Sequence, residues 1–467
     1  MSDRDKTFIG MLVTTISFVD EGVDEVFDFL QKTIGLNAAM PAPYSHADTI
    51  AGRHYGTEWE PARDHGKSED INLVGGAFFP PDERYYRNTT IRDFRAPDQV
   101  FADDELFSRI VEGANRRGIQ LFPYILDNVG GHDSGPRSVP GFSNVLEINL
   151  DKVKGPAPCI NSENYRSWIY GMIEDLIRNY NIAGILWGME RKGPFDAVFD
   201  GAVPYCFCDT CCSLAAERGI NVYKAQEGYR KFYELVNSPE TVDMPDGPFI
   251  EFIRLLFDYP QILEWETFWT DRYHGWMSEI YSLVHWLDGN REVGFLTWAY
   301  LHSKYLLRAQ FDFRKIAKFS DWVLPLFTPN MDGFFLSKAV RGVTSSILNG
   351  VSPEQLLPVH YALMGFDEGP WKGLGERAFT ANYTKTEVKR IMRGLGDGTP
   401  VYPGIGIGFP AAEPGKPRAT KEQVIEHTKA AFEAGAPGIA FRRSYVEMPL
   451  DHIRAAGEAL RDIGVIK

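Results

Sequence analysis

Cysteine is scarce in this sequence, and its distribution is uneven. The chain of 467 residues has 5 cysteines, and four of them fall in the segment CFCDTCC, residues 206–212. So few cysteines in so long a chain exclude a disulfide scaffold of the kind that stabilises small secreted domains. The cluster at 206–212 indicates either a metal site or a group of buried free thiols.

Long apolar runs and an excess of positive charge are also lacking. No segment approaches the ~18 consecutive apolar residues of a membrane-spanning helix, and the segment MSDRDKTFIGMLVTTISFVDEG does not resemble a secretory signal. A net charge of −14 repels phosphate groups, so neither nucleic acid nor an anionic membrane is expected as a partner. We therefore expect a cytoplasmic protein.

Short apolar runs alternate with amphipathic helical patterns along nearly the whole chain, which is typical of parallel α/β folds. The predicted strands cover residues 8–16, 35–41, 119–126, 183–189, 292–299, 321–328, 400–408 and 438–444. Eight strand–helix units predict a (β/α)8 TIM barrel formed by a single domain, residues 1–467. Insertions are expected at about 43–95 after strand 2 and about 191–290 after strand 4, on the side where barrel active sites form.

Two helices can be predicted in some detail. After Ser162, apolar residues recur with the helical period from Tyr165 to Ile177, which predicts a helix that covers the sheet. Thr420 and Gln423 form a capping-box pattern, and Gly435 provides a stop signal before the last strand.

The cysteine spacing is compatible with a zinc site. Cys206, Cys208 and Cys211 are close enough in sequence to bind one Zn²⁺ through their thiolates. The fourth ligand is either Cys212 or the more distant Cys159. A site with four protein ligands leaves no position for substrate, so the metal would be structural rather than catalytic.

The segment CFCDTC, shortly after a glutamate at the end of strand 4, resembles the β-galactosidases of glycoside hydrolase family 42. This resemblance implies a structural zinc bound by four cysteines, with Glu190 as the catalytic acid/base; the zinc ligands are Cys159, Cys206, Cys208 and Cys211. It assigns no role to Cys212, and it suggests a trimer. We expect a homo-oligomer, either a trimer or a dimer. Segments such as HYALMGFDE and AGAPGIAFRRSYVEM are similar to uncharacterised glycosidase-like barrel proteins.

Cleavage of a glycosidic bond needs a second carboxylate, either as nucleophile or to activate water. The family carries this glutamate at the end of strand 7, but here strand 7 reads PGIGIGFP, without an acidic residue until Glu413. The second catalytic residue is therefore sought among Glu447 after strand 8, Asp332 after strand 6 and Asp127 at the end of strand 3.

Several polar and aromatic residues near the strand ends are suited to a polyhydroxylated ligand. The predicted substrate-binding residues are Asp127, Asn128, Asn161, Trp187, Arg191, Trp298, His302 and Arg442. The sequence thus predicts a glycoside hydrolase that acts on a small or oligomeric sugar, without an organic cofactor. Because strand 7 lacks the acid, two alternatives remain: a barrel lyase or isomerase acting on a modified sugar, and a non-catalytic sugar-binding barrel.

Overall fold

Parallel strands form a closed barrel in the computed structural model, which describes residues 7–44, 76–96, 104–127, 139–188, 191–239, 242–297, 303–407, 419–442 and 444–467. The strands are β1 Phe8–Val13, β2 Ala38–Pro41, β3 Gln120–Leu121, β4 Tyr124–Leu126, β5 Leu146–Ile148, β6 Lys154–Pro158, β7 Gly184–Gly188, β8 Glu292–Thr297, β9 Trp322–Phe327, β10 Gly404–Gly406 and β11 Gly438–Arg442. β5 and β6 form a separate antiparallel pair, and the remaining strands follow the order β3-β2-β1-β11-β10-β9-β8-β7-β4.

β3 and β4 are two parts of one barrel strand, interrupted at Phe122 and Pro123. Proline has no backbone N–H and cannot donate to a ladder. The amide of Phe122 donates to Ala39 O (3.0 Å), while the carbonyl of Pro123 accepts from the amide of Leu186 (3.0 Å). The interrupted strand therefore pairs with β2 on one side and β7 on the other, which closes an eight-stranded ring. The predicted (β/α)8 fold is confirmed.

Helices cover the outside of the barrel. Those in the described ranges are Thr15–Glu21, Val23–Ile34, Leu106–Arg116, Glu163–Asn179, Pro194–Phe199, Asp209–Glu217, Val222–Asn237, Pro248–Asp258, Gln261–Leu287, Tyr305–Gln310, Phe313–Ile316, Pro329–Thr344, Pro353–Met364, Ala381–Leu395, Lys421–Glu433 and Leu450–Asp462. Both helices predicted in detail are present: the Ser162 hydroxyl caps the first, and Thr420 and Gln423 form the capping box of the second. Within these ranges, no helix has the length and apolar character needed to cross a bilayer.

Side chains alternate between the barrel interior and the layer beneath the helices, because successive residues of a strand face opposite sides. The interior cluster contains Phe8, Leu12, Ala38, Met40, Phe122, Leu186, Leu296, Trp322, Leu324, Leu326 and Ala440. On β7, Leu186 faces this interior, whereas Ile185 and Trp187 belong to the cluster that packs against the helices. A third apolar cluster is formed mainly by the segment that follows β7 and includes Phe207 and Trp265 together with Cys159, Cys206 and Cys211.

Candidate functional site

Four cysteine sulfur atoms converge beside the barrel. Those of Cys159, Cys206, Cys208 and Cys211 all lie within 4.8 Å of one another. The Sγ of Cys159 is 3.4 Å from that of Cys211 and 3.7 Å from that of Cys208. Tetrahedral coordination with Zn–S bonds of about 2.3 Å places sulfurs about 3.8 Å apart. The arrangement is therefore compatible with one tetrahedral metal ion.

Local backbone geometry brings these sulfurs together. Cys208 is the N-cap of the helix Asp209–Glu217, and its sulfur accepts from the amide of Cys211 (3.5 Å). Cys206 lies against β5, where the amide of Ile148 donates to its sulfur (3.4 Å). Hydrogen bonds with the other three thiols of the cluster lower the pKa of Cys208, whereas hydrogen bonds within the same cluster raise the pKa of Cys206 and Cys211. Donors aimed at sulfur favour the thiolate, which is the form that binds a metal.

Asn161 contacts this cluster directly. Its side-chain amide donates to the sulfur of Cys211 (3.3 Å), and its carbonyl oxygen accepts from Arg272 Nε (2.7 Å). Asn161 was predicted to bind substrate, but in the structure it is buried and its side chain bridges the thiols and a guanidinium. Cys212 is not part of the group, and its thiol donates to the backbone oxygen of Phe207 (3.5 Å).

A buried ion-pair network lies at the adjoining ends of β4 and β7. Arg191, only 4% exposed, donates to Glu147 Oε1 (2.7 Å), to the Asp127 carboxylate (3.4 Å) and to the Asp127 backbone oxygen (2.8 Å). Although burial opposes its charge, the two carboxylates raise the pKa of Arg191. Burial raises the pKa of Glu147 to about 7. Asp127 and Arg191, both predicted to bind substrate, thus bind each other at the barrel rim.

Trp187 lies in the layer between barrel and helices. It is 1% exposed, and its ring packs edge-on against Trp276 with centroids 4.9 Å apart. Trp276 belongs to the helix Gln261–Leu287, so this contact fixes that helix on the outer face of β7. The side chain that was predicted to contact substrate therefore contributes to the core.

A second group of titratable residues lies near the carboxyl ends of β9 and β11. Asp332, 1% exposed in the first turn of Pro329–Thr344, accepts from the hydroxyl of Thr328 (2.9 Å). Burial raises the pKa of Asp332 to about 7, although the nearby Arg442 opposes this increase. Arg442 is the last residue of β11. It lies on the same face of the strand as Ala440, which faces the barrel interior. Asp332 and Arg442 are thus within electrostatic range of each other.

Glu447 follows β11 in the short 3-10 turn Tyr445–Glu447. Its Oε2 accepts from the amide of Ser444 (3.2 Å), and together the two residues form a capping box. The carboxylate of Glu447, 3% exposed, therefore stabilises the turn that leaves the barrel.

No family model matches this chain, and no curated protein matches it. Solved structures do match. The glycoside hydrolase domain of PgaB from Bordetella bronchiseptica is 12% identical, with a TM-score of 0.53 and 99% of both chains covered. The β-galactosidase of Rahnella sp. R3 is 13% identical (TM-score 0.54), and that of Halorubrum lacusprofundi is 14% identical (TM-score 0.53). These similarities establish the barrel fold.

The extent of these matches differs between the two kinds of neighbour. This chain covers almost the whole of the PgaB domain, but 57% of the Rahnella chain and 58% of the Halorubrum chain. The β-galactosidase chains thus contain regions that do not align with this chain.

Four predicted site residues lie outside the described residues, namely Glu190, Asn128, Trp298 and His302. Conversely, the sequence analysis selected neither Glu147 nor Glu368 as a candidate. Glu368 accepts from the amide and hydroxyl of Thr380 (2.6 and 3.0 Å), and burial raises its pKa to about 7, with Asp332 adding to the increase. The only sequence signal for Glu147 was a single acid within the apolar run VLEI.

Proposed function

We propose that this protein is a glycoside hydrolase in which Glu190 is the catalytic acid/base. The observation that carries the proposal is the inward-facing series on β7, where Gly184, Leu186 and Gly188 alternate with outward-facing residues. Glu190 follows β7 in the sequence, two positions after its last residue, Gly188. TIM-barrel enzymes form their active sites at that end, and glycoside hydrolysis requires a carboxylic acid there to protonate the leaving oxygen.

We propose Asp332 as the second carboxylate, ahead of Glu447. Each carboxylate has one oxygen engaged locally, that of Glu447 by the amide of Ser444 and that of Asp332 by the hydroxyl of Thr328. Asp332 also lies near Arg442, the last residue of β11. A pKa of about 7 for Asp332 means that a base or nucleophile at this position is ionised only above neutral pH. Arg442 would then bind sugar hydroxyls, with Asn128, Trp298 and His302 completing the sugar site from neighbouring strand ends.

One observation favours the lyase or isomerase alternative. The inward positions of β10 in the described chain are Gly404 and Gly406, which supply no acid at the strand that carries the nucleophile in family 42. Product analysis separates the two reactions, because hydrolysis adds water across the cleaved bond and elimination leaves an unsaturated sugar.

We further propose that the four-cysteine cluster binds a structural Zn²⁺. Soft thiolate donors at near-tetrahedral spacing suit zinc, and a complete set of four leaves no open position for substrate. Thiols that bind metal must stay reduced, which is consistent with a cytoplasmic protein. The exposed Phe249, Ile250 and Phe257 on the helix Pro248–Asp258 support a homo-oligomer formed through this apolar face.

The decisive experiment is Glu190→Gln, assayed against a panel of disaccharides on which the wild type shows turnover, because a sugar leaving group must be protonated as it departs. Loss of a general acid costs roughly 10²–10⁴-fold in rate, so we expect kcat to fall by at least a hundredfold while sugar binding and the unfolding temperature stay unchanged. The matched control is Glu174→Gln, which removes a surface carboxylate paired with Arg178. An unchanged kcat in Glu190→Gln would refute the assignment.

A further inference from the structure

The cysteine cluster and the barrel rim are connected through one short strand, β5. The backbone amide of Ile148 donates to the sulfur of Cys206 (3.4 Å), and its backbone carbonyl accepts from the amide of Phe207 (2.7 Å). The preceding residue, Glu147, directs its carboxylate to Arg191 (2.7 Å). Adjacent residues of the same strand therefore contact the thiol cluster and the guanidinium at the rim.

Arg191 continues this connection into the barrel. Its guanidinium donates to the backbone oxygen of Asp127 (2.8 Å), and the amide of Asp127 donates to the carbonyl of Gly188 (2.9 Å), the last residue of β7. The hydroxyl of Tyr165 also donates to the Asp127 oxygen (3.2 Å). The hydrogen bonds of Arg191 and Tyr165 are buried and the bond from Ile148 to Cys206 is partly buried, so water cannot substitute readily for a lost partner.

We propose that Glu147 and Arg191 are positioning residues that couple metal binding at the four cysteines to the order of the barrel rim where β4 and β7 end. The inference rests on the zinc site proposed above, but it needs neither a substrate nor a catalytic assignment. When zinc fixes Cys206, it also fixes Ile148 and thus the direction of the Glu147 carboxylate. Glu147 in turn holds Arg191 against the end of β4.

Such a coupling is reciprocal by thermodynamic linkage. If zinc binding orders the ion-pair network, then weakening the network must weaken zinc binding by the same factor. Glu147→Gln keeps the size of the side chain but removes its charge, and thereby converts a charge-assisted hydrogen bond into a neutral one. We expect the Kd for zinc, measured by competition with a chromophoric chelator, to rise about tenfold, within the usual range of coupling between sites.

The matched control is Glu387→Gln. Glu387 is also buried and paired with arginine, since it accepts from Arg308 (2.9 Å), but it belongs to the helix Ala381–Leu395 and has no described contact with the thiol cluster. Its replacement should leave the Kd for zinc within twofold of the wild-type value. Equal weakening by both variants would show a general loss of stability and would overturn the proposal.

Hydrogen exchange gives a second readout that does not depend on the variant folding well. Removing zinc from the wild type should speed exchange of the Asp127 amide at least several-fold, while the amide of Ala440, which donates to Pro403 O (2.9 Å) in another part of the barrel, keeps its rate. In zinc-loaded Glu147→Gln, the Asp127 amide should exchange faster as well. Wild-type protein that binds zinc but shows no change at Asp127 on its removal would refute the coupling.

A wild type that binds no zinc would refute both the metal site and this coupling. The hydrolase proposal would survive that result, because its test is the activity of Glu190→Gln.

Discussion

Replacing Asp332 by asparagine should change how the stability of this protein depends on pH. The carboxyl of Asp332 is buried, and its hydrogen bond from Thr328 and the nearby Arg442 compensate only in part. Burial raises the pKa of Asp332 from 3.8 to about 7, a difference of about 3 units. Each unit corresponds to about 1.36 kcal/mol, so ionising this group in the folded state costs about 4 kcal/mol more than in the unfolded chain.

The sign follows from proton linkage. Between pH 4 and pH 7 the folded state retains a proton at Asp332 that the unfolded state has released, so the free energy of unfolding falls as pH rises and becomes constant above about pH 7. About 2 of the 3 units lie above pH 5, so the wild type loses about 3 kcal/mol between pH 5 and pH 8 from this group. Asparagine cannot ionise, and Asp332→Asn should not suffer this loss.

Urea denaturation of both proteins at pH 5, 6, 7 and 8 measures the effect. Other buried acids with a pKa near 7, such as Glu147 and Glu266, are present in both proteins and cancel in the comparison. The pKa of Glu368, which Asp332 helps to raise, falls in Asp332→Asn and shifts the difference in the same direction. The free energy of unfolding of Asp332→Asn minus that of the wild type should increase by about 3 kcal/mol from pH 5 to pH 8. A difference that stays constant within about 0.5 kcal/mol would refute the reasoning. The exposed Asp451, whose pKa is lowered by Lys421, provides the control Asp451→Asn, which should leave the slope unchanged.

Two further predictions concern the metal site and the barrel. Cys208→Ala should abolish stoichiometric zinc in the purified protein, as measured by elemental analysis, and should lower the unfolding temperature; Cys212→Ala should do neither, because Cys212 is not part of the cluster. A methyl group at position 184 would lie 1.9 Å from the carbonyl oxygen of Glu292 on β8, so Gly184→Ala should destabilise the barrel by about 3 kcal/mol or prevent folding. Gly275→Ala, on an exposed helix position with no atom within 4 Å, should stabilise by up to about 1 kcal/mol in thermal unfolding.

The barrel itself was predictable because its signals are local. Each strand is a short apolar run followed by a helix of clear period, and the caps at Ser162 and Thr420 act within three residues of their partners. The deviations also have local causes. The strand predicted at 400–408 shortens to Gly404–Gly406, since Pro400 and Pro403 cannot donate to a ladder. The β5–β6 pair was missed because strands of 3 and 5 residues, the second with two prolines, are too short to give a periodic signal.

The convergence of the four cysteines was predictable only through the family resemblance, since spacing alone left both Cys159 and Cys212 open as the fourth ligand. In the structure, Cys159 follows β6, and Cys206 lies against β5. The antiparallel pairing of those strands brings the two residues together.

The sequence by itself determined the eight strands, the helices and the residue types available for chemistry, because these depend on neighbours a few positions apart. Only the tertiary structure decided which polar groups meet. Glu147 and Arg191, or Asn161 and Arg272, are far apart along the chain, and nothing in their local sequence specifies the partner. Burial then fixes the properties of such groups: the same carboxyl that would ionise near pH 4 in water keeps its proton to about pH 7 at Asp332, because the folded barrel removes the water that would stabilise its charge.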